Sequence, residues 1–290
     1  MRWILQQVLD LLAYWLLPLL CFLLPARWAN VLARFVARRG WFFRRPAANA
    51  LANVTAIMPV ADAEAWKAEF RLVQFLDAVD VWHGRFSSDR RIHRHLVTAP
   101  TTWPSAGRQI FLGSHLGPST LLLRCIAAAG LKPAFVYRHS QSDLKRRAPV
   151  LHAYQRWRVG YLDKVCEGRQ IATPGGRDAV DRRLAEPDCC LVLLVDAPSP
   201  RDHGVTLNIC GGQLPIDPRG VSMAVKQGLV GTPFVMFWDR ATGRRTISLE
   251  PSVPLKDTDL TLGLMSGFID QWVQDHPAQW QLWLTAQPVV

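Results

Sequence analysis

Blocks of apolar and polar residues alternate along this chain in a pattern that predicts an α/β fold. Apolar runs of strand length cover residues 109–114, 133–137 and 189–195, and each is followed by turn, polar or charged residues. Residues 121–130, between the first two runs, read as a helix that ends at Gly130. A strand–helix–strand unit makes a right-handed crossover between parallel strands. The residues that follow the first two runs should therefore emerge at the same edge of the sheet.

The remaining predicted elements complete one α/β domain. They are a helix at residues 62–82 capped by Asp62, two antiparallel strands at 233–238 and 246–250, a last helix at 258–276 and, in one interpretation, a return to the sheet at 281–284. A chain of 290 residues is long enough for one sizeable domain with a short extension.

The N-terminal stretch is apolar enough to interact with a membrane. Residues 3–24 are mostly apolar and have about the length that a bilayer core of roughly 30 Å demands, although Gln6 and Asp10 interrupt them. Three interpretations stay open: a helix that spans the membrane, an amphipathic helix that lies in its plane, and a buried core helix. We expect a membrane anchor at residues 1–26 and an α/β domain at residues 27–290.

Basic residues follow this stretch directly. The arginines between positions 27 and 45, where no acidic residue occurs, are Arg27, Arg34, Arg38, Arg39, Arg44 and Arg45. By the positive-inside rule these residues stay on the cytoplasmic side. The downstream domain is therefore expected at the cytoplasmic face of the membrane.

The charge and composition of the whole chain point to acidic and lipid partners. The formal net charge is +11, apolar residues make up 49% and there are 12 Trp residues, which suits a protein that lies against anionic lipid. A phosphorylated acceptor or an acidic carrier protein fits the same charge. Nucleic acid is not expected, because the chain has no zinc-finger, RNA-recognition or helix–turn–helix signature. The six cysteines have no C-x-x-C spacing, so we expect reduced cytosolic thiols, no metal site and no other cofactor.

The stretch with the clearest chemistry is Gly-Ser-His-Leu-Gly-Pro at residues 113–118. Helix start signals follow it, so His115 should sit on a strand-to-helix turn at the carboxyl end of a strand. Ligands of open α/β sheets bind at this edge, where a histidine can exchange a proton with a substrate. Asp196 follows the third apolar run in the same way. The alternatives are a capping or packing role for His115 and a turn cap for Asp196.

Several of these features occur in the same order in one known family. His115, the segments 136–138 and 193–196, and the tail HPAQWQLW at 276–283 resemble the bacterial lipid A late (lauroyl/myristoyl) acyltransferase family, within the broader glycerolipid acyltransferase group. The resemblance implies a glycerolipid-acyltransferase-like mixed sheet flanked by helices, with an N-terminal membrane helix. It also implies an inner-membrane enzyme that moves an acyl chain from an acyl-carrier-protein or CoA thioester to a hydroxyl or amine of a lipid or glycolipid acceptor, of the lipid A type.

The sequence departs from that family at one catalytic position. The family signature is a histidine, four residues, then Asp or Glu, and Thr120 occupies the acidic place here. Two repairs are open: Asp196 or Asp143 reaches His115, or a more nucleophilic acceptor such as an amine needs less help. The alternative function is a catalytically impaired member that binds an acyl chain or carrier protein as a partner or transport component.

The positions at the sheet edge and the resemblance together suggest two sets of site residues. The catalytic set is His115, Thr120 and Asp196, and the substrate-binding set is Ser114, Gly117, Tyr137 and Arg138. In the family scheme the histidine removes the acceptor proton while its acidic partner orients the ring. The guanidinium of Arg138 suits a phosphate or carbonyl oxygen, and the alternative is a plain surface arginine. A basic helical stretch that follows, at residues 145–158, is either a landing surface for an acidic carrier or lipid headgroups or a plain solvated face.

Overall fold

A computed structural model gives the fold of this chain and describes residues 2–105, 107–138, 143–173, 175–199 and 204–288. Its strands are β1 (Val97–Thr98), β2 (Gln109–Gly113), β3 (Pro133–Arg138), β4 (Ile171–Thr173), β5 (Cys190–Leu194), β6 (Val205–Ile209), β7 (Gly212–Ile216), β8 (Val230–Asp239), β9 (Arg244–Leu249), β10 (Val253–Pro254) and β11 (Gln287–Pro288).

The helices are named in the same way. They are α1 (Arg2–Leu11), α2 (Leu17–Leu23), α3 (Ala26–Arg39), α4 (Arg44–Thr55), α5 (Ala63–Phe86), α6 (Asp89–His95), α7 (Leu122–Ala128), α8 (Leu144–Arg147), α9 (Pro149–Val165), α10 (Arg177–Ala185), α11 (Arg219–Lys226) and α12 (Thr258–Asp275). A π-helical segment at Leu12–Leu16 joins α1 to α2, and 3-10 turns occupy Pro277–Gln279 and Gln281–Leu284.

The larger sheet is mixed. Within the described residues its strand order is β1-β9-β8-β2-β5-β3-β4, and β10 pairs with β8. Strand β2 runs parallel to both β5 and β8, and β5 runs parallel to β3, whereas β8 and β9 are antiparallel. The predicted parallel crossover and the predicted hairpin are both confirmed. The crossover skips one position, because β5 lies between β2 and β3.

Both faces of this sheet are covered by helices. On β2, Ile110 and Leu112 pack into one core cluster with α4, α10, α11 and α12, while Phe111 packs into a second cluster with α7 and α9. Burial on both faces explains why β2 and β5 read as nearly continuous apolar runs instead of alternating ones. The expected mixed α/β fold flanked by helices is confirmed.

The predicted helix at residues 62–82 is α5, which runs four residues further. Asp62 caps it as expected, since its Oδ1 accepts hydrogen bonds from the backbone N–H groups of Glu64 at 3.0 Å and Ala65 at 2.9 Å. Such a cap satisfies two of the free N–H groups of the first turn. Helix α5 brings Asp77 and Asp80 into the body of the protein.

The interpretation of residues 281–284 as a return to the sheet is wrong, because Gln281–Leu284 is a 3-10 turn. Trp280 and Trp283 are both fully buried. A 3-10 turn, with three residues per turn, directs side chains three positions apart to the same side, whereas a strand would direct them to opposite faces. The chain reaches a sheet only at β11, which pairs with β7 in a separate sheet of order β11-β7-β6.

The N-terminal segment is helical and packs along the body of the protein. Trp3–Leu23 is long and apolar enough to cross a membrane, judged by length and composition. The ring of Trp15 lies 5.1 Å from that of Trp157 on α9, and the ring of Phe22 lies 5.3 Å from that of His83 on α5. The division of the chain at residue 26 stays a prediction.

Candidate active site

His115 lies just beyond the carboxyl end of β2, as the sequence predicts. The chain turns there because Gly117 adopts a left-handed backbone conformation with φ of +66°, which glycine tolerates without strain. A side chain at this position would collide with the carbonyl oxygen of Met236 and come within 2.7 Å of the Cα of Phe237. Gly117 therefore lets the His115 turn lie directly against the backbone of β8.

Asp196 is the carboxylate that contacts His115. Its Oδ1 lies 2.8 Å from the imidazole Nδ1, and its Oδ2 accepts the backbone N–H of His115, also at 2.8 Å. The Asp196 side chain is fully buried, whereas that of His115 is 31% exposed. With a carboxylate at Nδ1, that nitrogen carries the proton in the neutral ring and Nε2 keeps its lone pair. The arrangement is that of a histidine prepared to accept a proton at Nε2.

The register of the sheet explains this contact. Gly113 on β2 is the direct partner of Leu194 on β5, and the backbone N–H of Val195 donates to the Gly113 carbonyl at 2.9 Å. His115 and Asp196 each lie two residues beyond this pair, so they leave the sheet side by side. Of the two repairs expected through a carboxylate, Asp196 provides the contact. Asp143 instead pairs with Arg147 at 3.0 Å.

The C-terminal tail holds the same turn from the other side. The indole Nε1 of Trp280 donates to Oδ2 of Asp196 at 2.9 Å. The backbone N–H of Gln281 donates to the His115 carbonyl at 3.0 Å, and that of Gly117 donates to the Gln279 carbonyl at 2.9 Å. The tail that carries the family resemblance is thus part of the candidate site, a contact that sequence reasoning did not predict.

Thr120 is directed to a different carboxylate. Its hydroxyl donates to Oδ1 of Asp77 at 2.6 Å, and it accepts a hydrogen bond from Arg158 at 3.1 Å. Arg158 also pairs with Asp77, at 2.9 Å. Among the described residues no hydrogen bond joins Thr120 to His115. The Thr120 hydroxyl thus links Asp77 and Arg158. The catalytic role expected for Thr120 stays a prediction.

A small cavity lies next to this polar group. Its volume is about 30 Å³, and its lining residues are Ser119, Thr120, Leu122, Leu123, Phe135, Arg158, Leu162, Val192 and Leu194. A volume of that size holds about two water molecules. A long acyl chain does not fit into it unless its walls move.

The structure describes the surroundings of three of the four substrate-binding residues expected from the sequence. Ser114 is 2% exposed and its Oγ has no partner among the described residues. Both backbone groups of Gly117 are taken by the tail, since its carbonyl accepts from the Gln281 side chain at 2.9 Å. Tyr137 is half-buried near the end of β3, two strands from β2 and so about 10 Å away at roughly 4.8 Å per strand. The side chain of Arg138 lies outside the described part of the structure. Substrate contacts of these four residues stay predictions.

The cysteines of this protein are free thiols, and most of them are buried. All six cysteines are free, and burial raises the pKa of the Cys125 and Cys166 thiols to about 12. Because the thiolate is the nucleophilic form, these thiols are unreactive near neutral pH. Among the described residues no hydrogen bond joins a cysteine to His115 or Asp196.

Comparison with known proteins finds a distant likeness among solved structures. No protein-family model matches the sequence, and no curated protein matches it. Among solved structures, the 1-acyl-sn-glycerophosphate (LPA) acyltransferase PlsC from Thermotoga maritima is similar to this chain, with 13% sequence identity and a TM-score of 0.43. The match covers 88% of this chain and 99% of that chain. A likeness at this identity and TM-score carries no argument about activity, and the lipid A acyltransferase family stays a prediction.

Proposed function

We propose that this protein is a membrane-associated acyltransferase in which His115 is the general base and Asp196 its orienting carboxylate. The observation that carries the proposal is the 2.8 Å contact between Asp196 Oδ1 and His115 Nδ1, with the ring partly exposed at the carboxyl ends of the parallel strands β2 and β5, the edge where ligands of such sheets bind. The family resemblance supplies the reaction class. Asp196, which follows the neighbouring strand β5, takes the place of the acid that is missing at position 120.

The reaction follows from the state of the imidazole. Nε2 removes the proton of an acceptor hydroxyl as the hydroxyl oxygen attacks the thioester carbonyl. The tetrahedral intermediate then expels the carrier thiolate, which takes the proton back from the imidazolium, and an ester is left on the acceptor. Buried Asp196 stabilises the transient imidazolium through its charge, as carboxylates do in other histidine-based sites. An acceptor amine would react in the same way and give an amide.

The donor is an acyl-carrier-protein or CoA thioester in this proposal, and the acceptor is a lipid or glycolipid of the lipid A type. Lys145, Arg146 and Arg147 are exposed at the surface on α8, which suits an acidic carrier or the phosphates of CoA. The alternative, a non-catalytic protein that binds an acyl chain or carrier, is less well supported, because such a protein has no need of a carboxylate on the histidine.

We also place the N-terminal helices in the plane of the membrane, at the cytoplasmic face of the inner membrane. Most of the exposed large apolar residues belong to residues 2–41, and they are Trp3, Ile4, Leu5, Val8, Leu11, Leu16, Leu20, Leu23, Trp28, Val31, Phe35 and Trp41. Other side chains of the same segment face the body, where Trp15 packs against Trp157 on α9 and Phe22 packs against His83 on α5. A helix held along the body in this way lies on a bilayer more readily than it crosses one.

Thioester consumption tests the catalytic proposal. Purified protein is given dodecanoyl and tetradecanoyl thioesters of CoA and of acyl carrier protein with a glycolipid acceptor, and released thiol is measured for the unsubstituted protein, His115→Ala and His95→Ala. His95 is an exposed histidine at the end of α6 and serves as the matched control. We expect His115→Ala to lose activity and His95→Ala to keep it. Equal background rates for all three proteins would refute the acyltransferase proposal and support the non-catalytic alternative.

Flotation with vesicles that contain anionic lipid tests the membrane placement. A Trp28→Ser/Phe35→Ser double variant removes two exposed aromatic rings from α3, while Leu260→Ser removes an even more exposed apolar side chain from α12. We expect the double variant to bind vesicles more weakly and Leu260→Ser to bind as the unsubstituted protein does. Equal weakening in both variants would contradict the placement.

A further inference from the structure

The orientation of the Asp196 carboxylate depends on three donors. Oδ1 faces His115 Nδ1, and Oδ2 accepts the backbone N–H of His115 and the indole N–H of Trp280. The backbone N–H belongs to the same turn as the imidazole. Among the described residues Trp280 is thus the donor that ties this carboxylate to a part of the protein outside the His115 turn and the end of β5.

Trp280 is well suited to hold a carboxylate in place. Its indole nitrogen is a donor only, so it cannot reverse its role and accept a proton from Asp196. The ring is fully buried and packs edge-on against Trp283 with 4.8 Å between ring centroids. Its backbone forms an isolated antiparallel bridge with Leu116, next to His115. Rigid packing of a donor in this way is what fixes the geometry of groups behind a catalytic side chain.

We propose that Trp280 is a positioning residue that acts on His115 through Asp196. Its N–H holds Oδ2, which keeps Oδ1 against Nδ1 and so keeps the ring in the tautomer with the proton on Nδ1 and the lone pair on Nε2. The inference rests on the proposed function for its catalytic meaning, although the tautomer is a property of the protein itself. If Trp280 only filled space in the core, its replacement by another aromatic residue would leave the tautomer of His115 unchanged.

Trp283 provides a matched control within the same segment. It is as fully buried as Trp280, and its indole N–H donates at 2.6 Å to the backbone carbonyl of Pro277 instead of to a carboxylate. Replacing either Trp with Phe removes one N–H group and part of one ring from the same core. Only the change at Trp280 removes a donor from Asp196.

Nitrogen-15 NMR of histidine-labelled protein measures the tautomer of the neutral imidazole. The His115 signals are assigned by their loss in His115→Ala. We expect the unsubstituted protein and Trp283→Phe to show the Nδ1–H tautomer, and Trp280→Phe to show a mixture in which the Nε2–H form is populated. An unchanged tautomer in Trp280→Phe, or an equal change in Trp283→Phe, would overturn the proposal.

Two further measurements complete the test. If Trp280→Phe does not fold, the indole N–H signals of the otherwise intact protein decide: Asp196→Asn should shift the signal of Trp280 and leave that of Trp283 in place, and an unmoved Trp280 signal overturns the proposal. With a thioester substrate, Trp280→Phe should lower kcat by about 10- to 100-fold, the loss typical when a hydrogen-bond partner behind a metal-ligating histidine is removed, with KM unchanged. Absence of any thioester consumption in the unsubstituted protein would refute the acyltransferase proposal. The positioning role of Trp280 would then be decided by the NMR measurement of the tautomer.

Discussion

The Asp196→Asn substitution should reduce turnover by about 10⁴-fold, the loss that follows when a catalytic histidine loses its carboxylate to an isosteric amide. The structure explains why the amide cannot rescue the histidine. Two N–H groups, from the His115 backbone and Trp280, point at the position of Oδ2. The amide oxygen must occupy that position, which turns its NH₂ group toward His115 Nδ1. Nδ1 then has to accept, and the proton moves to Nε2, where the base is needed.

The size of the effect follows from the cost of turning the amide over. The reversed orientation would leave two buried donors facing an NH₂ group, and an orphaned buried donor costs about 1–3 kcal/mol. Even at about 2 kcal/mol in total, the productive orientation would hold only about 3% of the molecules. The neutral amide also provides no charge to stabilise an imidazolium, which accounts for the rest of the loss.

The assay compares kcat for thioester consumption with thermal unfolding of the same preparations. Because the amide keeps both donors at Oδ2, the Asp196→Asn variant should stay folded with nearly the same Tm. Turnover above about a tenth of that of the unsubstituted protein, in a folded variant, would refute the assigned role of Asp196, since a 10⁴-fold loss corresponds to about 5.4 kcal/mol of transition-state stabilisation.

Three other substitutions test separate parts of the structure. Thr120→Asp places a second carboxylate beside Asp77, so we expect no gain in kcat and a lower Tm; a gain in kcat would show that an acid there does serve the histidine. Gly117→Ala forces a side chain against the β8 backbone at positive φ and should destabilise the fold by at least about 2 kcal/mol in urea unfolding, whereas an unchanged midpoint would contradict the close approach. Burial, followed by the nearby charges of Arg245 and Arg91, lowers the pKa of His83 to about 3. Between about pH 3 and pH 6.5, the unfolded chain therefore binds a proton at His83 that the folded protein does not bind. The free energy of unfolding falls as the pH drops through this range. Relative to His83→Gln, the unsubstituted protein should lose about 2 kcal/mol more between pH 7 and pH 5, and equal losses in urea unfolding would contradict the burial of that ring.

The position of the His115–Asp196 pair could be predicted from the sequence because it depends on a simple rule. Apolar runs of strand length, joined through a helix, give parallel strands whose carboxyl ends share one edge. His115 and Asp196 each follow such a run. Their contact needs only adjacent strands in a suitable register, and β2 and β5 are adjacent.

The contacts made by Trp280 and Asp77 could not be predicted in the same way. Trp280 reaches Asp196 across 84 residues, and no periodic pattern links the tail to the end of β5. Asp77 lies on a long amphipathic helix, where a single carboxylate looks like a solvated residue. Its partners Thr120 and Arg158 come from two other elements, so the cluster exists only once α5, α7 and α9 have packed together.

The separation of histidine and acid along the chain makes the site depend on strand register instead of helix geometry. An acid five residues after a histidine is positioned by the local turn, whatever the rest of the sheet does. Here the first residues after the turn direct Thr120 toward α5, and the acid arrives through the pairing of Gly113 with Leu194. A slip of one residue would place Val195 or Ala197 beside His115 and would also reverse which face each β5 side chain occupies. Burial of β5 on both faces would not by polarity alone forbid such a slip, but the slip would remove the contacts of Asp196 with His115 and Trp280.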